Sequence, residues 1–161
     1  MRRVGRWLSA LLPPVVWLAV ITLWSGNLGS HDHVTHWVIA RLAHWFPGLV
    51  STSEARYRVA GALWDARKPA HLFEYAVLAL LVYRALGLLA GLARRRRVIV
   101  SVACCGIVGA LDELHQSLNP ARTPLPTDAL IDLAGGAVGL ALRAAGKGVR
   151  HYFSRRAKNS V

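Results

Sequence analysis

The chain has 161 residues, 54% of them hydrophobic, and sets 20 Lys and Arg against 8 Asp and Glu for a formal charge of +12. A mean hydropathy of +0.35 alongside a pI of about 11.2 excludes a nucleic-acid-binding protein, which spreads its bases over a solvated face. It excludes disorder as well, because a chain this apolar can bury itself.

Composition therefore points to one small membrane domain, and crossing a ~30 Å hydrocarbon layer takes about 20 mostly apolar helical residues. Four stretches qualify, which predicts an all-α membrane protein: a four-transmembrane-helix bundle with short interfacial helices in the first outer loop. The first span runs from about Trp7 to Ser25 behind Arg2, Arg3 and Arg6. A cleaved signal peptide is the alternative there. The Pro13-Pro14 pair, the set Trp7, Trp17 and Trp24, and the want of an Ala-x-Ala site read instead as a kinked span with interfacial anchors.

The first outer loop, about residues 26–68, carries helical periodicity in Val34, Trp37, Val38, Leu42 and Trp45, between Ser30 and the break at Pro47-Gly48. Ser51 with Glu54 three residues on has the pattern of a capping box and signals a second loop helix. Both read as helices lying on the outer leaflet with inserted aromatics. His31, His33, His36 and His44 raise the question of a metal, but loop histidines at a membrane surface need none and no cysteine joins them. Neither a metal nor another cofactor is expected.

Span two follows from about Pro69 to Gly91, span three from Val98 to Gln116 and span four from Asp128 to Gly146. Residues 1–150 form a single transmembrane domain and 151–161 a basic cytoplasmic tail. Adjacent Cys104 and Cys105, in mid-span, are too close for an ordinary disulfide and read as free packing residues. Basic residues set the orientation, because Lys and Arg collect in cytoplasmic loops. The N-terminal arginines, the Arg94 to Arg97 run, and Arg143, Lys147, Arg150, Arg155, Arg156 and Lys158 have no acidic neighbours in their segments. The other side holds Arg41, Arg56, Arg58, Arg67, Lys68 and Arg122, and Arg84 lies within span two. Both termini are then cytoplasmic, in a multi-pass protein of the bacterial cytoplasmic membrane. The Arg94 to Arg97 run and the tail read as topology determinants resting on anionic headgroups, not as a nucleic-acid site.

In that orientation every acidic residue is outside. Asp65, Glu74, Asp112, Glu113, Asp128 and Asp132 meet near one depth, joined by His71, His115 and Arg122. An ionisable group inside a span is costly unless paired or facing a wet cavity, so the convergence predicts a polar pocket. His71, Glu74 and Tyr75 share a helix face. Ser101, Cys105, Gly109, Asp112 and Gln116 form one stripe, and Asp128, Asp132, Gly135 and Gly139 another that ends in a GxxxG-type step. The competing account is helix packing with buried charge pairs, for example Asp132 with Arg122 or Lys68.

These residues carry a family resemblance. The segment from Arg67 through Lys68, His71 and Glu74 to Tyr75 resembles the Lys-x-x-His-x-x-x-Tyr signature of the VanZ-like membrane protein family. Asp112-Glu113-Leu114-His115-Gln116, then Arg122, Asp128, Asp132 and Gly135, resembles its Asp-Glu-x-His-Gln, Arg, Asp-x-x-x-Asp-x-x-Gly block; Asn119-Pro120-Ala121 before Arg122 is a departure. The resemblance implies a small polytopic protein of the bacterial envelope, in a family named for a member linked to glycopeptide (teicoplanin) resistance. It implies no reaction.

Three functional classes follow. The first is a binding protein whose outer pocket engages an anionic or lipid-linked envelope component through Lys68, His71, Tyr75, Gln116 and Arg122. The second is an enzyme using His71, Glu74, Asp112, Glu113, His115, Asp128 and Asp132 for acid-base or metal chemistry on a phosphate- or ester-containing lipid. The third is a scaffold whose polar network fixes helix register. Spacing alone names no substrate and leaves the oligomeric state open.

Overall fold

Two adjacent prolines fall inside the first helix, α1 (Arg2–Ser25), which nevertheless runs unbroken. Each proline lacks an N–H and so leaves the carbonyl four residues earlier without its helical partner. Arg84 takes up the carbonyl freed by Pro13, donating from Nη1 to the Ser9 oxygen at 2.7 Å. The lone arginine within span two thus has a structural use. The structure, a computed structural model, describes residues 2–25, 30–118 and 126–158. No strand occurs among the described residues.

Helix α2 (His31–Trp45) starts where Ser30 caps it, the hydroxyl accepting from the His33 N–H. A 3-10 turn at Pro47–Val50 follows, then α3 (Ser53–Leu89), α4 (Arg94–Ser117) and α5 (Pro126–Lys158). The loop helix expected after Ser51 and the second span are one helix. It has 37 residues, about 55 Å at 1.5 Å per residue. Its cap is Thr52 and not Ser51, the Thr52 hydroxyl accepting from the Ala55 N–H at 3.1 Å. Continuity has a plain cause. Ala and Arg dominate the stretch before Pro69, with no turn-forming cluster to end the helix, and one proline costs it a single bond. At the other end α3 closes on Ala90 and then Gly91, whose φ of +58° suits glycine.

Four helices are long and apolar enough to cross a membrane: Arg3–Ser25, Ser53–Leu89, Arg94–Ser117 and Thr127–Gly148. They run alternately up and down, with α3 packed chiefly on α5, and α4 on α5 and α1 on α3 more lightly. The intimacy of α3 and α5 comes from missing side chains. A Cβ on Gly135 would lie 2.5 Å from the Leu72 carbonyl oxygen, and one on Gly139 2.8 Å from that of Ala76. Around Tyr75, Leu78, Ala79, Tyr83, Cys105 and Leu140 the bundle closes a small core. Its outer faces carry Leu11, Val15, Leu23, Ile107, Leu111, Leu130 and Leu142, all exposed, as lipid contact requires and water would penalise.

The packing separates the charges. The C-terminal turn of α1, the N-terminal half of α3, the end of α4 and the start of α5 meet at one end, which holds all eight acidic residues. The other end holds Arg3, Arg6, Arg84, the Arg94 to Arg97 run and Arg143. Arg6 donates to the Leu88 carbonyl near the end of α3, one of the carbonyls a helix terminus leaves open.

Candidate functional site

The site lies at the acidic end, and the stripes build it. Ser101, Cys105, Gly109, Asp112 and Gln116 are all buried on α4, and Asp128, Asp132, Gly135 and Gly139 are all buried on α5. Both rows face α3, which contributes Arg67, His71 and Tyr75. His71 Nδ1 lies 3.0 Å from Asp132 Oδ1, deep in the bundle, with Asp132 fully buried. A carboxylate only accepts, so the Nδ1–H donates and Nε2 is left as the ring's second polar atom. Gly109 makes room for the pair, since a Cβ there would lie 2.7 Å from Asp132 Oδ2.

A second group ties all four spanning helices together. Arg67 of α3 pairs with Asp128 of α5 at 2.9 Å and donates to Gln116 Oε1 of α4 at 3.3 Å. Gln116 in turn donates from Nε2 to Asp112 Oδ2 at 2.7 Å and to the Ser25 hydroxyl of α1 at 3.3 Å. Trp17 adds a further tie, its indole N–H donating to the Glu74 carbonyl at 2.9 Å. It holds α1 to α3 in mid-bundle and is no interfacial anchor. The Cys105 thiol donates to the Tyr75 carbonyl at 3.5 Å. Both cysteines are free.

Beside these groups a cavity of about 200 Å³ opens between α1, α2, α3 and α4. One side is aromatic: Trp24, and Trp64 with His31 packed edge-on at 5.2 Å and Arg67 at 6.0 Å from its ring. The other is polar, with Arg67, His71, Glu74 and Asp112. Asp128 Oδ1, Asp132 Oδ2 and the Tyr75 hydroxyl are buried with no hydrogen-bond partner among the described residues. Buried polar atoms left without a partner are unfavourable inside a bundle.

The sequence-derived residues divide accordingly. His71, Tyr75, Asp112, Gln116, Asp128 and Asp132 come together, Glu74 lines the cavity, and Glu113 is buried at the same end of α4. Lys68 and His115 are exposed, and Arg122 lies outside the described residues. The partner of Asp132 is therefore His71, not Lys68. Arg67 and Ser25 belong to the site although the motifs did not single them out. The signal for Arg67 was present: Arg67, His71 and Glu74 recur at steps of four and three, which puts them on one face of α3. Among the loop histidines His31 packs on Trp64 and His44 on Trp45, while His33 and His36 are exposed. Among the described residues no three His, Cys, Asp or Glu side chains gather as a metal centre would need.

Fold and site together define a multi-pass helical membrane protein with a buried His-Asp pair and an ionic network at one end of its bundle. The chain matches the VanZ/LLP1 family over residues 11–145, most of its length and both motif blocks, and it belongs to that family. No curated protein matches the chain, and no solved structure does.

Proposed function

We propose that this chain is a VanZ-like protein of the bacterial inner membrane, with both termini cytoplasmic, whose acidic end faces outward and binds a lipid-linked envelope component. Helix α2 then lies at the outer interface, with Trp37 and Trp45 exposed for insertion. The observation that carries the reading is the two-faced cavity, apolar and aromatic on one side and polar on the other. It narrows the ligand. Arg67 is already engaged by Asp128, and Glu74 and Asp112 share the wall, so a headgroup rich in hydroxyl or amine donors suits the site better than a bare anion. A change in sensitivity to glycopeptide antibiotics is the phenotype that the family resemblance attaches to this reading.

The test is native mass spectrometry of gently extracted protein. A co-purifying glycolipid is expected on the native chain and lost from His71→Gln and from Ala70→Trp, which fills the cavity. Equal retention by all three proteins would remove the reading. One observation favours a second reading, acid-base catalysis on such a lipid: the Asp132 carboxylate, bonded to Nδ1, holds the His71 ring in one orientation and leaves Nε2 to exchange a proton. Catalysis would appear as a time-dependent mass change in the bound lipid, abolished by Asp132→Asn with binding kept.

A further inference from the structure

The basic end of the bundle holds a second cavity, of about 270 Å³, between α3, α4 and α5. Its wall is apolar, with Val98 and Val102 from α4 and Leu140 and Ala141 from α5, and Arg94 and Arg143 stand in its lining. Tyr83, almost fully buried, closes the α3 side. The guanidinium carbons of Arg97 and Arg143 each lie 4.6 Å from its ring centroid. One buried ring thus gathers two like charges. Arg97 reaches this place over Gly87, where a Cβ would lie 2.5 Å from its Nη1.

Among the described residues, no acidic side chain stands in this half of the bundle to balance these charges. All eight acidic residues sit at the opposite end, and so do both described ion pairs, Arg67–Asp128 and His71–Asp132. Ala93, the cap position of α4, offers no side-chain acceptor to the first turn, so the open N–H groups there add to the positive potential. Guanidinia gathered beside an apolar slot repel one another and call for an anion from outside. The slot specifies its kind: apolar walls accommodate an acyl chain, and guanidinium forks match the oxygens of a phosphate.

We propose that this cavity is a binding site for an anionic glycerophospholipid, with the phosphate held by Arg94 and Arg143 and one acyl chain in the slot along Val98, Val102 and Ala141. The site is distinct from the cavity at the acidic end and does not rest on the function proposed for it.

The experiment uses delipidated full-length protein in neutral detergent, offered phosphatidylglycerol, phosphatidylcholine or inorganic phosphate and examined by native mass spectrometry. Phosphatidylglycerol is retained; phosphatidylcholine and phosphate are not. Arg94→Gln with Arg143→Gln lowers retention roughly thirtyfold, the scale of losing two arginine contacts to an anionic lipid. Arg95→Gln with Arg96→Gln removes the same charge from exposed side chains outside the cavity and leaves retention unchanged. Ala141→Phe keeps every charge, fills the slot and lowers retention as well, which decides the matter even where the arginine pair fails to fold. Equal retention by the two arginine pairs, binding of phosphate alone, or full retention by Ala141→Phe would each overturn the proposal.

Discussion

The partner of a buried carboxylate sets the consequence of removing it. Asp132 pairs with an imidazole, so Asp132→Ala leaves a ring that can stay neutral, and the loss is that of one buried hydrogen bond, about 1–3 kcal/mol. Asp128 pairs with a guanidinium whose side chain is only 16% exposed. Asp128→Ala strands that cation, a loss of about 3–5 kcal/mol. Unfolding titrations in detergent are therefore expected to rank Asp128→Ala below Asp132→Ala, and the reverse order would mean that Arg67 is not held as described. Much of this site was legible in advance. His71, Asp112, Gln116, Asp128 and Asp132 fall on stripes whose phase alone demands burial. What phase cannot give is the residue across the gap. Lys68 and Arg67 stand side by side; the four-residue step to His71 puts Arg67 on the inward face and leaves Lys68 exposed, but only the packing of α3 against α5 decides that Arg67 meets Asp128.

For the helices, the decisive contact is backbone to backbone. Alanine favours helix over glycine by about 1 kcal/mol, which alone would stabilise any Gly→Ala change. At Gly135 and Gly139 the added methyl meets the carbonyl oxygens of Leu72 and Ala76, which cannot swing aside as a side-chain tip would. Overpacking of about 1–3 kcal/mol wins there, so Gly135→Ala and Gly139→Ala destabilise. Gly61, also within α3, has nothing within 4 Å of its missing Cβ, so Gly61→Ala should stabilise by about 0.5–1 kcal/mol. Opposite signs in one thermal-unfolding series check the contrast; a loss of stability at all three would point to glycine flexibility instead of close approach. The GxxxG-type step was readable because small residues at that spacing have few other uses in a span. The unity of α3 was not. Ser51 and Glu54 mark a helix start to within a residue, but Pro69 signals a second boundary locally, and the chain overrides it because nothing before it supplies a turn.

Across the whole molecule the charges are sorted: acids at one end, and at the other a basic excess that does two kinds of work. Arg6, Arg84 and Arg97 are bound into the protein, at the Leu88 and Ser9 carbonyls and the Tyr83 ring. Arg3, Arg94, Arg95 and Arg96 are exposed. In the proposed orientation these exposed bases, with exposed Lys147, act on topology by resisting translocation, to which the acids at the far end contribute little. The alternating course of the four helices ties both charge clusters to opposite faces of the bilayer. Orientation thus becomes a single binary question, and two exposed positions answer it. In a chain with Cys104 and Cys105 replaced by alanine, His44→Cys on α2 should react with a membrane-impermeant maleimide in intact cells, and Arg95→Cys only after the membrane is opened. Loss of one arginine from the run leaves the other exposed bases to hold the orientation. The opposite labelling pattern would invert the proposed orientation and carry the acidic cavity to the cytoplasm. Labelling of both in intact cells would contradict the alternating bundle, because the end of α2 and the start of α4 would then share one side of the membrane.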